Sequence, residues 1–252
     1  GRLDRAKSCF EINARIYPKS LAANATFVEF LMYAQLWDDL SKEGRLAFGR
    51  FPQETAFLEM AGVGDYNLGD YEKVLESCET ILKVAPRDSS KTLRSWSTMG
   101  DIYARSGDNA KAYKAYENAL KINPDYVYVL NNYAYYLSME GKKLKKAYAM
   151  SKKTIEAEPD NATYLDTLAW VYYKLGEYEQ AKKVMQQAMS FDKDNSAELA
   201  LHYGDILDAL GSTFMAQTYW RKALERGADA VTIEQRLEAQ QQRIKEQKGG
   251  KK

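Results

Sequence analysis

Residues 93–126 read LRSWSTMGDIYARSGDNAKAYKAYENALKINPDY, and this stretch decides the fold. A glycine, Gly107, divides it into two runs, each long enough for a helix of about a dozen residues. Glycine accepts the left-handed backbone at a helix end at little cost. Pro124 stands where the second helix must stop, because proline cannot continue it. The stretch is therefore predicted to fold as a hairpin of two helices.

The hairpin recurs along the chain. The five prolines are Pro18, Pro52, Pro86, Pro124 and Pro159, and the intervals between them are 34, 34, 38 and 35 residues. Periods of this size are the mark of a repeat architecture. A later unit shows helical spacing directly, since its apolar residues fall at i, i+3, i+4 and i+7 on one face: Leu165, Leu168, Ala169 and Tyr172. The sequence thus predicts an array of helical hairpins.

Small and large residues alternate at fixed positions within the hairpin. Residues 93–126 carry Trp96, Met99, Gly100, Tyr103, Gly107, Ala112, Tyr116, Ala119 and Pro124. The small residues let helix backbones approach closely, and the large ones fill the wedges between hairpins. This pattern resembles the tetratricopeptide repeat (TPR). The resemblance implies an all-α fold: a right-handed α-α superhelical solenoid of TPR helix hairpins with a C-terminal capping helix.

The phase of the repeat sets the expected unit boundaries. We expect the second helix of a truncated unit at 1–20, a degenerate unit at 21–54, a unit with a four-residue extension at 55–92, further units at 93–126, 127–161, 162–195 and 196–229, and a capping helix with a disordered basic tail at 230–252. Because the first unit is incomplete, we expect the chain to be the C-terminal part of a longer protein with upstream repeats.

Three segments depart from the pattern. The unit at 21–54 puts Gly44 where a large residue is expected, which we interpret as a repacked hairpin and not a missing one. Four residues, 89–92, precede the next unit and are predicted to start its first helix one turn early, capped by Asp88 or Ser89; a longer loop is the alternative. Asp229 is expected to cap a final helix through about Lys245, followed by a disordered tail.

Composition excludes several function classes. Thirty-six basic and thirty-five acidic residues leave a net charge of +1, which argues against a dedicated nucleic-acid binder. No run approaches 18 apolar residues, so no membrane span is predicted. Cys9 and Cys78 lie far apart and form no metal-ligand pattern.

Candidate chemical groups are few. His202 is the only histidine, and we interpret it as structural or exposed although Asp205 and Asp208 lie nearby. Asp192 and Asp194 resemble part of a calcium loop, but we interpret the segment as a turn and a helix cap, since Tyr203 takes the place of the closing glutamate. No catalytic residue, metal site or cofactor is predicted, and we do not expect an enzyme.

The resemblance implies that first-helix residues line a concave face which binds an extended peptide or a partner helix. The positions carried over to this sequence are Glu29, Tyr33, Glu59, Tyr66, Asn67, Arg94, Ser97, Asp101, Arg105, Tyr128, Asn131, Tyr135, Asp166, Trp170, Tyr173, Lys174, Glu198, Asp205 and Asp208. Seven of these are acids and three are bases, so the set is net negative and favours a basic or neutral partner. The family's clamp for acidic chaperone C-termini needs lysine and asparagine at specific groove positions. The corresponding positions here hold Ala25 with Glu29, or Ser97 with Asp101, so the clamp is not expected.

Two interpretations of the aromatic residues remain open. Tyr128, Tyr135, Trp170 and Tyr173 either hold the partner or pack between neighbouring hairpins. The function that we expect is a non-catalytic interaction scaffold or adaptor. The alternatives are a regulatory or substrate-binding arm of an enzyme whose catalytic domain lies upstream, and a module for weak homo-oligomerisation. Residues 130–134 and 164–170 also resemble bacterial TPR proteins of the cell envelope, which implies an envelope or periplasmic setting.

Overall fold

The computed structural model describes residues 1–249, and side chains are described through Glu246. Within that range the chain forms fourteen α-helices and no strand. The predicted all-α fold is confirmed. Among the described residues, no helix is both long and apolar enough to cross a bilayer. The chain divides into two compact units, Gly1–Pro124 and Asp125–Lys252.

The first unit holds seven helices: α1 (Arg2–Ile16), α2 (Leu21–Tyr33), α3 (Trp37–Arg50), α4 (Ala56–Leu68), α5 (Tyr71–Val84), α6 (Ser89–Arg105) and α7 (Asn109–Ile122). Helices α2, α4 and α6 are the first helices of their repeats. One apolar cluster joins α1 to α4 around Leu31 and Leu40, both fully buried. A second cluster joins α5, α6 and α7, where Trp96 and Tyr103 pack against Val74 and Cys78. These two aromatic residues therefore lie between successive hairpins, as predicted.

A missing side chain makes room for an aromatic ring within the α6–α7 hairpin. A Cβ built on Gly100 would lie 2.4 Å from the ring of Tyr116. Tyr116 has no exposed surface. Its ring thus fills space inside its own hairpin and not the wedge between hairpins that the sequence pattern predicts.

In the degenerate repeat, both helices are present, and the close approach lies between α3 and the following helix α4. A Cβ on Gly44 would lie 2.8 Å from the Phe57 carbonyl oxygen, and one on Gly64 would lie 2.6 Å from the Trp37 carbonyl oxygen. Both contacts involve backbone, so neither can be relieved by a side-chain rotation. Gly44, the residue that departs from the repeat, is therefore what lets α4 approach α3.

A buried acid ties three helices of this unit together. Asp65 on α4 has no exposed surface, accepts a hydrogen bond from the Ser41 hydroxyl on α3 at 2.5 Å and forms an ion pair with Arg45. Arg45 also donates to the Ser77 hydroxyl on α5 at 3.0 Å. The buried charge is thus paired and hydrogen-bonded, as burial of a carboxylate requires.

The second unit holds α8 (Val127–Met139), α9 (Leu144–Ala157), α10 (Ala162–Lys174), α11 (Tyr178–Phe191), α12 (Ala197–Ala209), α13 (Thr213–Glu225) and α14 (Ala230–Gly249). Helices α8, α10 and α12 are first helices. A continuous apolar cluster runs from Leu165 on α10 to Ile233 on α14. The glycine–aromatic pairing recurs here, since a Cβ on Gly204 would lie 2.4 Å from the ring of Trp220. The same packing device thus serves both units.

Helix ends follow the predicted chemistry. Gly107, Gly176 and Gly211 all have positive φ, between 75° and 82°. Helix α6 begins at Ser89 and is 17 residues long, and the Asp88 side chain accepts a hydrogen bond from the Lys91 amide at 3.0 Å. The predicted early start of this helix is confirmed, so the alternative of a longer loop does not apply.

The last helix differs from expectation at its end and on its docking face. Asp229 accepts from the Thr232 amide at 2.8 Å, as predicted for the cap. The helix continues past Lys245 to Gly249, since the residues there are mostly good helix formers. The remainder of the expected disordered tail, 250–252, lies outside the described residues. Gln240 is a polar residue but is only 2% exposed, because its side-chain amide forms hydrogen bonds with Asp208 of α12 and Gln217 of α13.

The close approach of α3 and α4 can be tested by two substitutions in one helix. Gly64→Ala is expected to lower the free energy of unfolding by roughly 1–3 kcal/mol, because the new methyl group would meet the α3 backbone. Gly62→Ala is the control, since a Cβ there meets nothing within 4 Å, and it should raise stability by up to about 1 kcal/mol. Urea unfolding followed by circular dichroism measures both; equal effects would contradict the packing account.

A second test concerns the end of α2, where Gln35 adopts a left-handed backbone with φ 55°. The other five first helices, α4, α6, α8, α10 and α12, each have a glycine with positive φ at this turn. Gln35→Gly is expected to stabilise the chain by about 0.5–1 kcal/mol. Removing the side chain relieves a backbone strain of roughly 1–2 kcal/mol, but the greater conformational entropy of glycine in the unfolded chain offsets part of this stabilisation. Gln35→Ala keeps the Cβ and should give no gain. A gain of the same size from alanine would show that backbone strain is not the cause.

Candidate functional site

The predicted site residues of the first unit form two cross-helix pairs. Arg94 on α6 donates to Glu59 on α4 at 2.6 Å. Arg105 on α6 donates to the Tyr66 hydroxyl on α4 at 2.7 Å, and its guanidinium carbon lies 5.4 Å from the centre of the Tyr71 ring. Two arginines for which the resemblance predicts partner binding therefore join the neighbouring first helices α4 and α6.

The other predicted residues of this unit do not converge. Tyr33 is 89% exposed, and Glu29, one helical turn earlier, is also exposed. Asn67 donates to the Val63 carbonyl of its own helix at 2.8 Å. Asp101 accepts from the Tyr116 hydroxyl at 2.7 Å, so it supports the hairpin. Ser97 is 5% exposed and therefore contributes little surface to any partner.

In the second unit, three first helices bring predicted residues together. The Tyr135 hydroxyl on α8 donates to Glu198 on α12 at 2.8 Å. Asp166 on α10 lies against His202 on α12, with its two carboxylate oxygens 2.9 and 3.0 Å from Nδ1. We call Tyr135, Asp166, Glu198 and His202 the polar cluster. Asp166 lies 36 residues before His202 and Tyr135 lies 63 residues before Glu198, about one and two repeats, so the stacking of first helices brings them together.

Trp170 belongs to the packed interior of this unit. It is 5% exposed, and its ring stacks on His202 at 4.1 Å and on Tyr173 at 4.6 Å between centroids. Lys174 lies over the same ring at 4.9 Å. For Trp170, the packing interpretation accounts for the side chain.

The other residues carried over on α8 differ in exposure. Tyr128 is 43% exposed, and its ring lies 6.1 Å from that of Tyr126. Asn131 is 5% exposed, and its side-chain amide oxygen Oδ1 has no hydrogen-bond partner. Tyr128 is therefore the member of the four aromatic positions that offers most surface to a partner, since Tyr135 and Tyr173 are half-buried.

The last helix engages the two acids at the end of the predicted surface. Arg236 donates to both oxygens of Asp205, at 2.7 and 2.9 Å, and the indole of Trp220 donates to the same carboxylate at 2.9 Å. Gln240 donates to Asp208 at 2.6 Å, and Arg243 forms an ion pair with it. An open cleft of about 560 Å³ lies beside these contacts, and its lining includes the two acids and the two arginines together with Tyr173 and Trp220.

The structure changes the charge expected of this surface. The count of acids over bases was made from first helices alone, but Asp205 and Asp208 are paired with arginines of α14, and Asp166 is paired with His202. Glu29 and Glu198 remain the exposed acids of the predicted set. The negative field of the surface is thus weaker than the sequence count indicates.

Electrostatics of the polar cluster favour a protonated imidazole. Burial by itself would lower the pKa of His202, but the charge of Asp166 and the hydrogen bond with it, together with Glu198 and Asp205, raise that pKa above its ordinary value. Burial and the neighbouring Glu198 also raise the pKa of the Tyr135 hydroxyl far above its usual range, so this group stays a hydrogen-bond donor.

Sequence reasoning missed the contribution of α14 and the partner of His202. Arg236, Gln240 and Arg243 recur at i, i+4 and i+7, a helical spacing that could have indicated a polar face directed at the acids of α12. Asp166, which binds His202, lies 36 residues away in sequence. The interpretation of 192–196 as a turn and cap is confirmed, because Ser196 caps α12 and its amide donates to Asp192 at 3.0 Å.

Comparisons with known proteins agree with this architecture. Residues 87–199 match the family described as the cytochrome c-type biogenesis protein H TPR domain. The TPR repeat-containing protein PA4667 of Pseudomonas aeruginosa is 25% identical over 139 residues, which are 55% of this chain and 22% of that protein. Superkiller protein 3 of Schizosaccharomyces pombe is 25% identical over 138 residues, 51% of this chain and 9% of that protein. The chain thus spans less than a quarter of the length of these relatives.

A solved structure shares the fold over nearly the whole chain. The crystal structure of a tetratricopeptide repeat protein from Parabacteroides merdae superposes with a TM-score of 0.67 at 17% identity, covering 95% of this chain and 92% of that one. Stacked hairpins of this kind are a protein-interaction fold, and they present extended surfaces to their partners. The helix pattern, the glycine–aromatic packing and these likenesses show that the chain has the fold of tetratricopeptide repeat proteins.

Proposed function

We propose that the chain is a non-catalytic scaffold that binds an extended peptide or a partner helix on its first-helix surfaces. The observation that carries this proposal is the seating of α14 against α12. A helix lies there with a row of donors, Arg236, Gln240 and Arg243, directed at two acids. The surface is therefore chemically suited to a helical segment that presents arginine or amide groups.

The exposed groups of the second unit define where such a partner would bind. Tyr128 offers an aromatic surface at the start of α8, and Glu198 offers a carboxylate at the start of α12. Tyrosine is favoured at protein interfaces because it buries a large area at a small cost in side-chain entropy. A basic or neutral partner fits this pair best, since the remaining exposed charge is negative. The family match supports an adaptor of the cell envelope as the setting.

Binding can be separated from stability by choosing exposed tyrosines. Tyr128→Ala is expected to weaken retention of the partner by at least about tenfold, in line with the loss of an interface aromatic residue. Tyr17→Ala is the matched control, because Tyr17 is 58% exposed and lies outside the predicted surface. Trp170 is unsuitable for this purpose, since its removal would open a cavity in the core.

The measurement is quantitative mass spectrometry of proteins retained from source-cell lysate by the full chain, its Tyr128→Ala variant and its Tyr17→Ala variant. The candidate partner is then titrated against each purified chain by calorimetry, and melting temperatures are compared. Loss of binding in Tyr128→Ala alone, at an unchanged melting temperature, supports the proposal. Equal binding by all three chains would overturn the assignment of this surface.

A second candidate, self-association, is favoured by the apolar surface of α1. Ile12 and Ile16 are one helical turn apart on this helix and are 56% and 62% exposed, and neighbouring exposed apolar residues of this kind mark interaction sites. The expected result is a mass in light scattering that rises with protein concentration, and a lower mass for Ile12→Glu at the same concentration. A constant monomer mass would remove this candidate.

A further inference from the structure

The polar cluster of the second unit contains a set of metal-ligand groups. One imidazole nitrogen of His202 and one carboxylate oxygen from each of Asp166 and Glu198 all lie within 4.8 Å of one another. Glu198 and His202 are four residues apart on α12, so they share one face of that helix. Asp166 reaches them from α10. Three donors from two helices therefore lie close to one another on facing sides of α10 and α12.

Neighbouring groups hold these donors in place. The His202 ring stacks on Trp170 with 17° between their planes, which fixes the orientation of the imidazole. The Tyr135 hydroxyl donates to Glu198 at 2.8 Å. Metal sites use such outer contacts to orient their ligands and to tune affinity. His202 and Asp166 are 4% and 3% exposed, so part of the cluster is already desolvated, while exposed Glu198 leaves a path from solvent.

Charge balance favours a cation here. Two carboxylates and one imidazole nitrogen face one another in this cluster. A divalent ion would compensate both carboxylates, and the imidazole proton would pass to solvent as the nitrogen binds the ion. Imidazole combined with carboxylates suits zinc and similar transition metals better than calcium or magnesium, which prefer oxygen ligands.

We propose that Asp166, Glu198 and His202 bind a divalent transition-metal ion, with Zn²⁺ as the representative case, and that this ion ties α10 to α12. Zinc needs its nitrogen and oxygen ligands at about 2.0–2.2 Å, so the donor atoms must draw somewhat closer together than they lie now. Glu198 is exposed, so its side chain can move towards the other two ligands, and the hydrogen bond that it accepts from the Tyr135 hydroxyl then lengthens or breaks. The ion site shares Glu198 with the proposed partner surface, but Zn²⁺ binding is measured on the chain alone, so its result does not depend on a protein partner.

The single histidine of the sequence makes the site directly observable. The full chain, without any added histidine tag, is titrated with ZnCl₂ by calorimetry, and the imidazole resonances are followed by NMR. We expect one Zn²⁺ per chain, a shift of the His202 resonances during the same titration, and a higher melting temperature in excess Zn²⁺. A parallel titration with MgCl₂ should move neither signal.

Variants distinguish this site from general acidic surface. Glu198→Gln should weaken Zn²⁺ binding by at least about tenfold and keep the fold, because Glu198 is exposed. His202→Gln should abolish binding, with circular dichroism as the check on folding. Asp194→Asn, an exposed acid outside the cluster, should bind as the unmodified chain does. His202 resonances that stay fixed in excess Zn²⁺, or equal losses in Glu198→Gln and Asp194→Asn, would overturn the proposal.

Discussion

The close approach of paired helices is the constraint on which each unit depends. In α6–α7 and α12–α13, a glycine on the first helix leaves the space that an aromatic ring of the second helix fills: Tyr116 opposite Gly100 and Trp220 opposite Gly204. Both rings are almost completely buried. Interiors pack at the density of organic crystals, so a ring of this size needs a matching absence of side chain opposite it.

Buried polar side chains also join the helices that pack through apolar residues. In the first unit, Asp65 is buried and joins three helices through Ser41 and Arg45. In the second unit, Trp220 fills its hairpin and also donates to Asp205, which in turn binds Arg236 of α14. The same side chain thus serves both the apolar cluster and the polar contacts of the last helix. Burial of these charges is acceptable because each has a partner close by.

The chemistry of the surface follows from this arrangement. Residues that point away from the hairpin interior are free to face solvent, but several are used to join neighbouring first helices, as Arg94 and Glu59 do. The predicted residues that keep exposed surface include Glu29 and Tyr33 in the first unit and Tyr128 and Glu198 in the second. The surface that a repeat protein offers to a partner is therefore reduced by the side chains that bond to neighbouring helices of the stack.

The sequence by itself determined the fold class, the position of most helix ends and the early start of α6, because these depend on local backbone chemistry: glycine at positive φ, proline as a stop and Asp88 as a cap. Only the tertiary structure decided which site residues are accessible. Trp170 is buried in part because His202, which comes about one repeat later, stacks on its ring. Asp205 is paired because Arg236 on α14 donates hydrogen bonds to it. Contacts between residues about one repeat apart depend on how helices stack, and a pattern read within one helix does not contain that information.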